Sequence, residues 1–282
     1  EMSTFTESVR SSTFFYSNYF YKIFDFYTAE SAKSLALLHT WSLSIEEQFY
    51  ILFPVVSFNL FKRYRKEFLP TLIIFSFISI YLNYSSLNIN DKFYNFELRV
   101  WEILAGAILM IFFFNIKISP IAWQSEAGFI LVFFSVVFFN NDDINLLYPR
   151  IIVVLGTSLI LLANNAENNK FLNYLIKNKL FAYTGLISYS LYLFHQPIFA
   201  FATTLTNRNE VLISTPMKVF LLSITFVLAS LNYKLVEKPF LENRLNLKIL
   251  LPVLLSLVIF VISSNRTSGF VNRYDNLPNK VI

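Results

Sequence analysis

The residues of this chain that could do chemistry lie inside stretches otherwise as apolar as a membrane helix. Residues 37–54 read LLHTWSLSIEEQFYILFP. At 100° per residue, His39, Ser42, Glu46 and Tyr50 fall within about 80° of one another, so one helical face is polar. Glu47 stands at its margin and Gln48 points away, which places Glu46 in the interior. Pro54, one turn beyond Tyr50, removes a backbone hydrogen bond. In FELRVWEILAGAILM, residues 96–110, Arg99 and Glu102 are three apart and can pair. Gly106, one turn further, permits close approach of a neighbouring helix. In TGLISYSLYLFHQP, residues 184–197, a seam of Gly185, Ser188, Tyr192 and His195 repeats at spacings of three and four. In YKLVEKPFLENR, residues 233–244, Glu237 sits among basic residues and Pro239 ends a helix.

Ionisable groups at membrane depth are costly and face a protein interior or a wet cavity, which makes them functional by default. A histidine beside a carboxylate in a water-poor site can move a proton, and an arginine can clamp an anion. The bland alternatives stay open. His39 and the glutamates can lie wetted at headgroup level, Arg99 and Glu102 can satisfy only each other, the tyrosines can be belt residues, and Lys234 and Lys238 can snorkel. Other chemistries are excluded more firmly. There is no cysteine, hence no disulfide, thiolate nucleophile or cysteine-ligated metal, and two histidines make a zinc site unexpected. A Gly-rich phosphate loop and a nucleophile elbow are also missing from the sequence.

The elements that must carry these groups are helices. The 282 residues are 55% hydrophobic and 15% charged, with mean hydropathy +0.53. That composition predicts an all-α fold, a polytopic transmembrane helical bundle. Apolar runs mark about eight spans, near 38–61, 68–84, 96–114, 122–140, 149–164, 180–205, 216–237 and 247–264. Residues 1–35 read as an extracytoplasmic or interfacial segment, 36–264 as the membrane domain, and 265–282 as an extracytoplasmic linker. The loop charges alternate with the spans. One set holds twelve basic residues (Lys62, Arg63, Arg65, Lys66, Lys117, Lys170, Lys177, Lys179, Lys234, Lys238, Arg244 and Lys248), the other only Lys92, Arg99, Arg150 and Arg208. This is the positive-inside bias of an even number of spans, with both ends outside the cytoplasm. It also accounts for the net charge of +5, so no nucleic-acid partner is expected.

In order and spacing, LLHTWSLSIEEQFYILFP, LRVWEILAGA, ISYSLYLFHQPI and YKLVEKPF resemble the membrane acyltransferase-3 family, whose members O-acylate cell-surface sugars such as O-antigen, exopolysaccharide and peptidoglycan. The resemblance runs from about Asn18 onward. It implies a plasma (inner) membrane enzyme that moves an acyl group, most simply acetyl, from a cytoplasmic acyl-CoA co-substrate to a surface glycan hydroxyl, with no bound cofactor. It assigns Glu46 and His195 to catalysis. It assigns Trp41, Ser42, Tyr50, Arg99, Glu102 and Glu237 to substrate binding, and His39, Ser188 and Tyr192, from the polar helix faces above, join them as binding candidates. The family's diagnostic arginine and histidine stand on a first helix with no match here, so the chain reads as N-terminally truncated with the principal base upstream. An SGNH-like domain beyond residue 282 would suit the outward tail. A transporter or flippase for a glycan or lipid is the alternative, because intramembrane Glu, His and Arg also mark proton relays. No internal repeat is visible, which disfavours it.

Overall fold

The computed structural model describes residues 2–23, 35–115, 123–139, 147–163, 174–175, 177–207 and 213–242, with single positions between 251 and 267. Regular structure among the described residues is entirely helical. The eighth expected span and the linker after it lie, but for those single positions, outside the described residues. The chain divides into two compact units, Glu1–Ser44 with Thr184–Ile282, and Ile45–Tyr183.

In the first unit, the polar and aromatic N-terminal segment forms α1 (Met2–Thr13) and α2 (Ser17–Ile23), joined through Phe15 at φ 58°. Its hydroxyls turn towards the start of α3 (Thr40–Arg63). Ser12 Oγ lies 2.7 Å from Thr40 Oγ1, and Ser17 Oγ lies 2.7 Å from Ser44 Oγ. Burying these hydroxyls is tolerable because they bond one another. The same unit holds α10 (Ser188–Asn207), α11 (Thr215–Asn232), a π-helical turn (Tyr233–Glu237) and α12 (Lys238–Leu241). The expected sixth span is therefore two helices, α9 (Lys179–Leu186) and α10, interrupted at the buried Ile187.

In the second unit, α4 (Phe68–Ser85), the short α5 (Ile89–Tyr94) and α6 (Phe96–Asn115) fold back on one another. Ser79 Oγ donates to the Glu97 carbonyl at 2.7 Å, and Asn83 Nδ2 to the Leu98 carbonyl at 3.0 Å. The apolar centre gathers Phe49, Phe68, Leu72 and Leu104, with Phe53, Val100 and Ile108 around it. Helices α7 (Trp123–Phe138) and α8 (Leu147–Ala163) run antiparallel: Ser135 Oγ bonds the Pro149 carbonyl at 3.1 Å, while Gly128 meets Gly156 midway. Gly106 does not play the part expected of it. A Cβ there would meet nothing within 4 Å, because the packed side of α6 is the one bearing Val100 and Leu104.

Two helical stretches, Phe68–Ser85 and Thr215–Leu241, have the length and apolarity to cross a membrane, and α7 and α8 are shorter apolar helices. The stretches Thr40–Arg63 and Phe96–Asn115 are as long, but carry the charged residues that make them chemically interesting.

Candidate active site

In the first unit, the last turn before α3 brings His39 against the middle of α10. The ring centroids of His39 and His195 are 5.3 Å apart, and that of Tyr192 lies 5.1 Å from His39 and 5.5 Å from His195. Helical geometry explains the grouping on α10, since Tyr192 and His195 are three apart and share a face. The Tyr192 hydroxyl has one proton, and it goes to the His39 carbonyl, which can only accept. Ser42 Oγ, bonded to the same hydroxyl, is then the donor to it. This ties the start of α3 to α10. Gln196 adds a second tie, from Nε2 to the Leu35 carbonyl at 3.1 Å.

The two imidazoles differ in their hydrogen bonding. His195 Nδ1 lies 2.6 Å from the Tyr192 carbonyl. A carbonyl cannot donate, so in the neutral ring the proton sits on Nδ1 and leaves Nε2 a basic acceptor. His39 is buried, and neither of its ring nitrogens has a hydrogen-bond partner among the described residues. Orphaned polar nitrogens in a buried ring cost free energy unless a ligand or water meets them. A basic nitrogen beside an open imidazole is what proton transfer to or from a bound hydroxyl needs.

Glu237 belongs to a second cluster of the same unit. Ser190 Oγ donates to Glu237 Oε2 at 2.7 Å, and Asn232 Nδ2 donates to Ser190 Oγ at 2.9 Å. Glu237 ends a π-helical turn, a rare form of helix that is frequent at functional sites. Ser188, by contrast, is exposed and makes no hydrogen bond among the described residues; the buried serine is Ser190. Trp41 is half-buried. Ser190→Ala removes the hydroxyl that links Asn232 to Glu237. It is expected to destabilise the protein by about 1–3 kcal/mol, the cost of stranding such groups, visible as a lower melting temperature in detergent.

Arg99 and Glu102 pair in the second unit as the spacing predicts, with Nε and Nη2 at 3.1 and 2.6 Å from the two carboxylate oxygens. Arg150 of α8 joins them, its Nη1 3.7 Å from Glu102 Oε1. Glu46 and Tyr50 belong to the same unit and are exposed, against the interior placement expected for Glu46. The reason is the helix wheel. Ile45 and Phe49 are buried, and Glu46 and Tyr50 stand one position on, 100° round the axis. Glu46 has no hydrogen bond or ion pair among the described residues.

The family model described as an acyltransferase domain, acyltransferase-3, matches residues 9–233. The chain belongs to the acyltransferase-3 family. This acyltransferase-3 chain is 28% identical, over 82% of its length, to a Staphylococcus aureus strain COL protein with a provisional O-acetyltransferase name. It is 26% identical, over 72% of its length, to the O-acetyltransferase OatA of S. aureus strain NCTC 8325. The matched parts are 40% and 36% of those relatives, so the acyltransferase-3 chain spans about two fifths of their length. No solved structure matches it.

Proposed function

We propose that the protein is an integral membrane O-acyltransferase. It moves an acyl group, acetyl by kinship, from a cytoplasmic donor such as acyl-CoA to a hydroxyl of a cell-surface carbohydrate, through a plasma-membrane bundle of about eight spans. The observation that carries this reading is the pair of imidazoles in an acyltransferase-3 chain: His195 with a basic Nε2, and His39 with two open nitrogens. In the reaction the acceptor hydroxyl loses its proton to a base, its oxygen forms a bond to the acyl carbon, the carbon–sulfur bond breaks, and the thiolate takes up a proton. His195 is suited to these proton transfers through its Nε2, with Tyr192 and Ser42 holding the His39 backbone in place. A water-poor setting favours transfer over hydrolysis.

Glu46 supports the reading from the second unit. A carboxylate exposed on an otherwise apolar helix is stable only where something polar reaches it, and an acceptor sugar is suited to that. Glu46→Gln is expected to lower transfer by about 10²-fold, within the range typical of acid–base and orienting groups. The measurement is radiolabelled acetyl transfer to surface glycan, with membrane insertion of the variant verified. Full activity of an inserted Glu46→Gln protein would refute this role.

A further inference from the structure

The loop that joins α3 to α4 carries positive charge with little counter-charge of its own. Lys62 and Arg63 close the last turn of α3, Arg65 and Lys66 follow at once, and α4 begins at Phe68. Four cations against one acid, Glu67, leave a local charge of +3. All four cations are exposed, and none has an ion pair or a side-chain hydrogen bond among the described residues.

Three of them lie over aromatic rings of the same segment. Lys62 Nζ is 5.8 Å from the centre of the Phe58 ring, and the guanidinium carbons of Arg63 and Arg65 are 5.5 and 5.3 Å from those of Tyr64 and Phe61. A ring face holds the charge but leaves most N–H donors open. Phe58 stands four residues before Lys62, about 6 Å deeper along the helix axis. Ring first and charge beyond it is the order in which a bilayer presents its acyl boundary and its headgroups. Phe58, Phe61 and Tyr64 are 67, 47 and 47% exposed, so the described residues do not cover them. Phe61 also meets Phe68 edge-on at 5.6 Å, which holds the ends of the two helices together beneath the loop. A soluble phosphate compound is held in a concave pocket that buries most of it, whereas a row of open cations at the end of a helical hairpin fits the flat anionic surface of a membrane.

We propose that Lys62, Arg63, Arg65 and Lys66, with Phe58, Phe61 and Tyr64 beneath them, bind the headgroups of anionic phospholipids on the cytoplasmic leaflet. From the preceding reading this takes only that α3 and α4 lie in a membrane, on the side that the loop charges give. Lipid association is measured without acyl transfer, so its failure leaves the enzyme reading standing.

The chain has no cysteine, so Val55→Cys, on the exposed face of α3 that bears Phe58 and Lys62, gives a single position for a fluorophore. In vesicles containing the labelled protein, quenching by brominated phosphatidylglycerol and by brominated phosphatidylcholine reads which lipid sits beside the loop. Phosphatidylglycerol is expected to associate there about five-fold more strongly, the worth of one cation at an anionic surface, and less so as salt rises. The double variant Lys62→Gln, Arg65→Gln is expected to remove most of that preference. Lys234→Gln, Lys238→Gln, which takes two charges from elsewhere on the same side, is expected to leave it. Should the loop variant fail to insert, Phe58→Leu, which keeps every charge, is expected to lower the preference about two-fold. Equal association of the two lipids, a preference unchanged in the loop variant or in Phe58→Leu, or the same loss from Lys234→Gln, Lys238→Gln would overturn the proposal. So would binding of coenzyme A that the loop variant abolishes while the lipid preference persists, for then the loop serves the phosphates of the donor.

Discussion

Replacing His195 by glutamine is expected to lower acyl transfer by about 10²–10⁴-fold, the range of a lost acid–base group. Glutamine keeps much of the size and polarity of the ring, so the packing against His39 and Tyr192 changes little, while the basic Nε2 disappears. A structural role for His195 predicts something different, namely a lower melting temperature with transfer reduced only in proportion to the folded fraction. Radiolabelled acetyl transfer, normalised to inserted protein and read across pH, separates the two. If His195 handles a proton, the wild-type pH profile has a limb that vanishes in the variant. His39→Gln sharpens the comparison. The ring of His39 is open at both nitrogens, so its loss is expected to reduce transfer without breaking any hydrogen bond of its side chain among the described residues.

The second large effect is on stability. A Cβ on Gly128 would stand 2.4 Å from the Gly156 carbonyl oxygen, 2.7 Å from Ile160 Cγ1 and 3.1 Å from the Ile160 backbone nitrogen. Two of those three atoms are backbone, so no rotamer change relieves the clash and the helices must separate. In the other direction, a Cβ on Gly156 would lie 2.8 Å from the Gly128 carbonyl oxygen. Without a strong hydrophobic drive between helices in lipid, close backbone approach over small residues is a main source of their association. Gly128→Val is expected to cost about 3 kcal/mol, the upper end for overpacking. The expected signs are a lower melting temperature in detergent and faster proteolysis. Gly106→Val, in open space on α6, is expected to leave both unchanged.

Local spacing made some of this legible in the sequence. Arg99 and Glu102 are three apart on one helix, and so are Tyr192 and His195; both relations follow from 3.6 residues per turn. The positions of α4, α7 and α8 follow from apolar runs bounded by polar loops. What could not be read were partners distant along the chain. Ser190 stands 42 residues from Asn232 and 47 from Glu237, and a lone serine in an apolar helix carries no sign of which carboxylate it will meet.

Arg150 reads in the sequence as a loop charge, because its tie to the Lys92 carbonyl crosses 58 residues. The α7–α8 seam does have a signal in the sequence: Ser125, Gly128 and Ser135 on α7 are small residues at helical spacing, and all three are buried. Gly106, one turn beyond an ion pair, meets no neighbour, because spacing from a charge says nothing about which side of a helix is packed. On α3 the shared polar stripe points to the Glu46 face as the inward side, whereas the apolar Ile45 and Phe49, one step round, are the residues buried.

The most direct measurement follows a labelled acetyl group across a sealed membrane. Vesicles containing the protein receive acetyl-CoA, labelled in its acetyl carbon, on the cytoplasmic face, with carbohydrate acceptor on the opposite face. The account predicts label on that carbohydrate in an ester released by mild alkali, and none with His195→Gln. Carbohydrate or lipid crossing the membrane without acquiring label would contradict the account and mark the protein as a transporter.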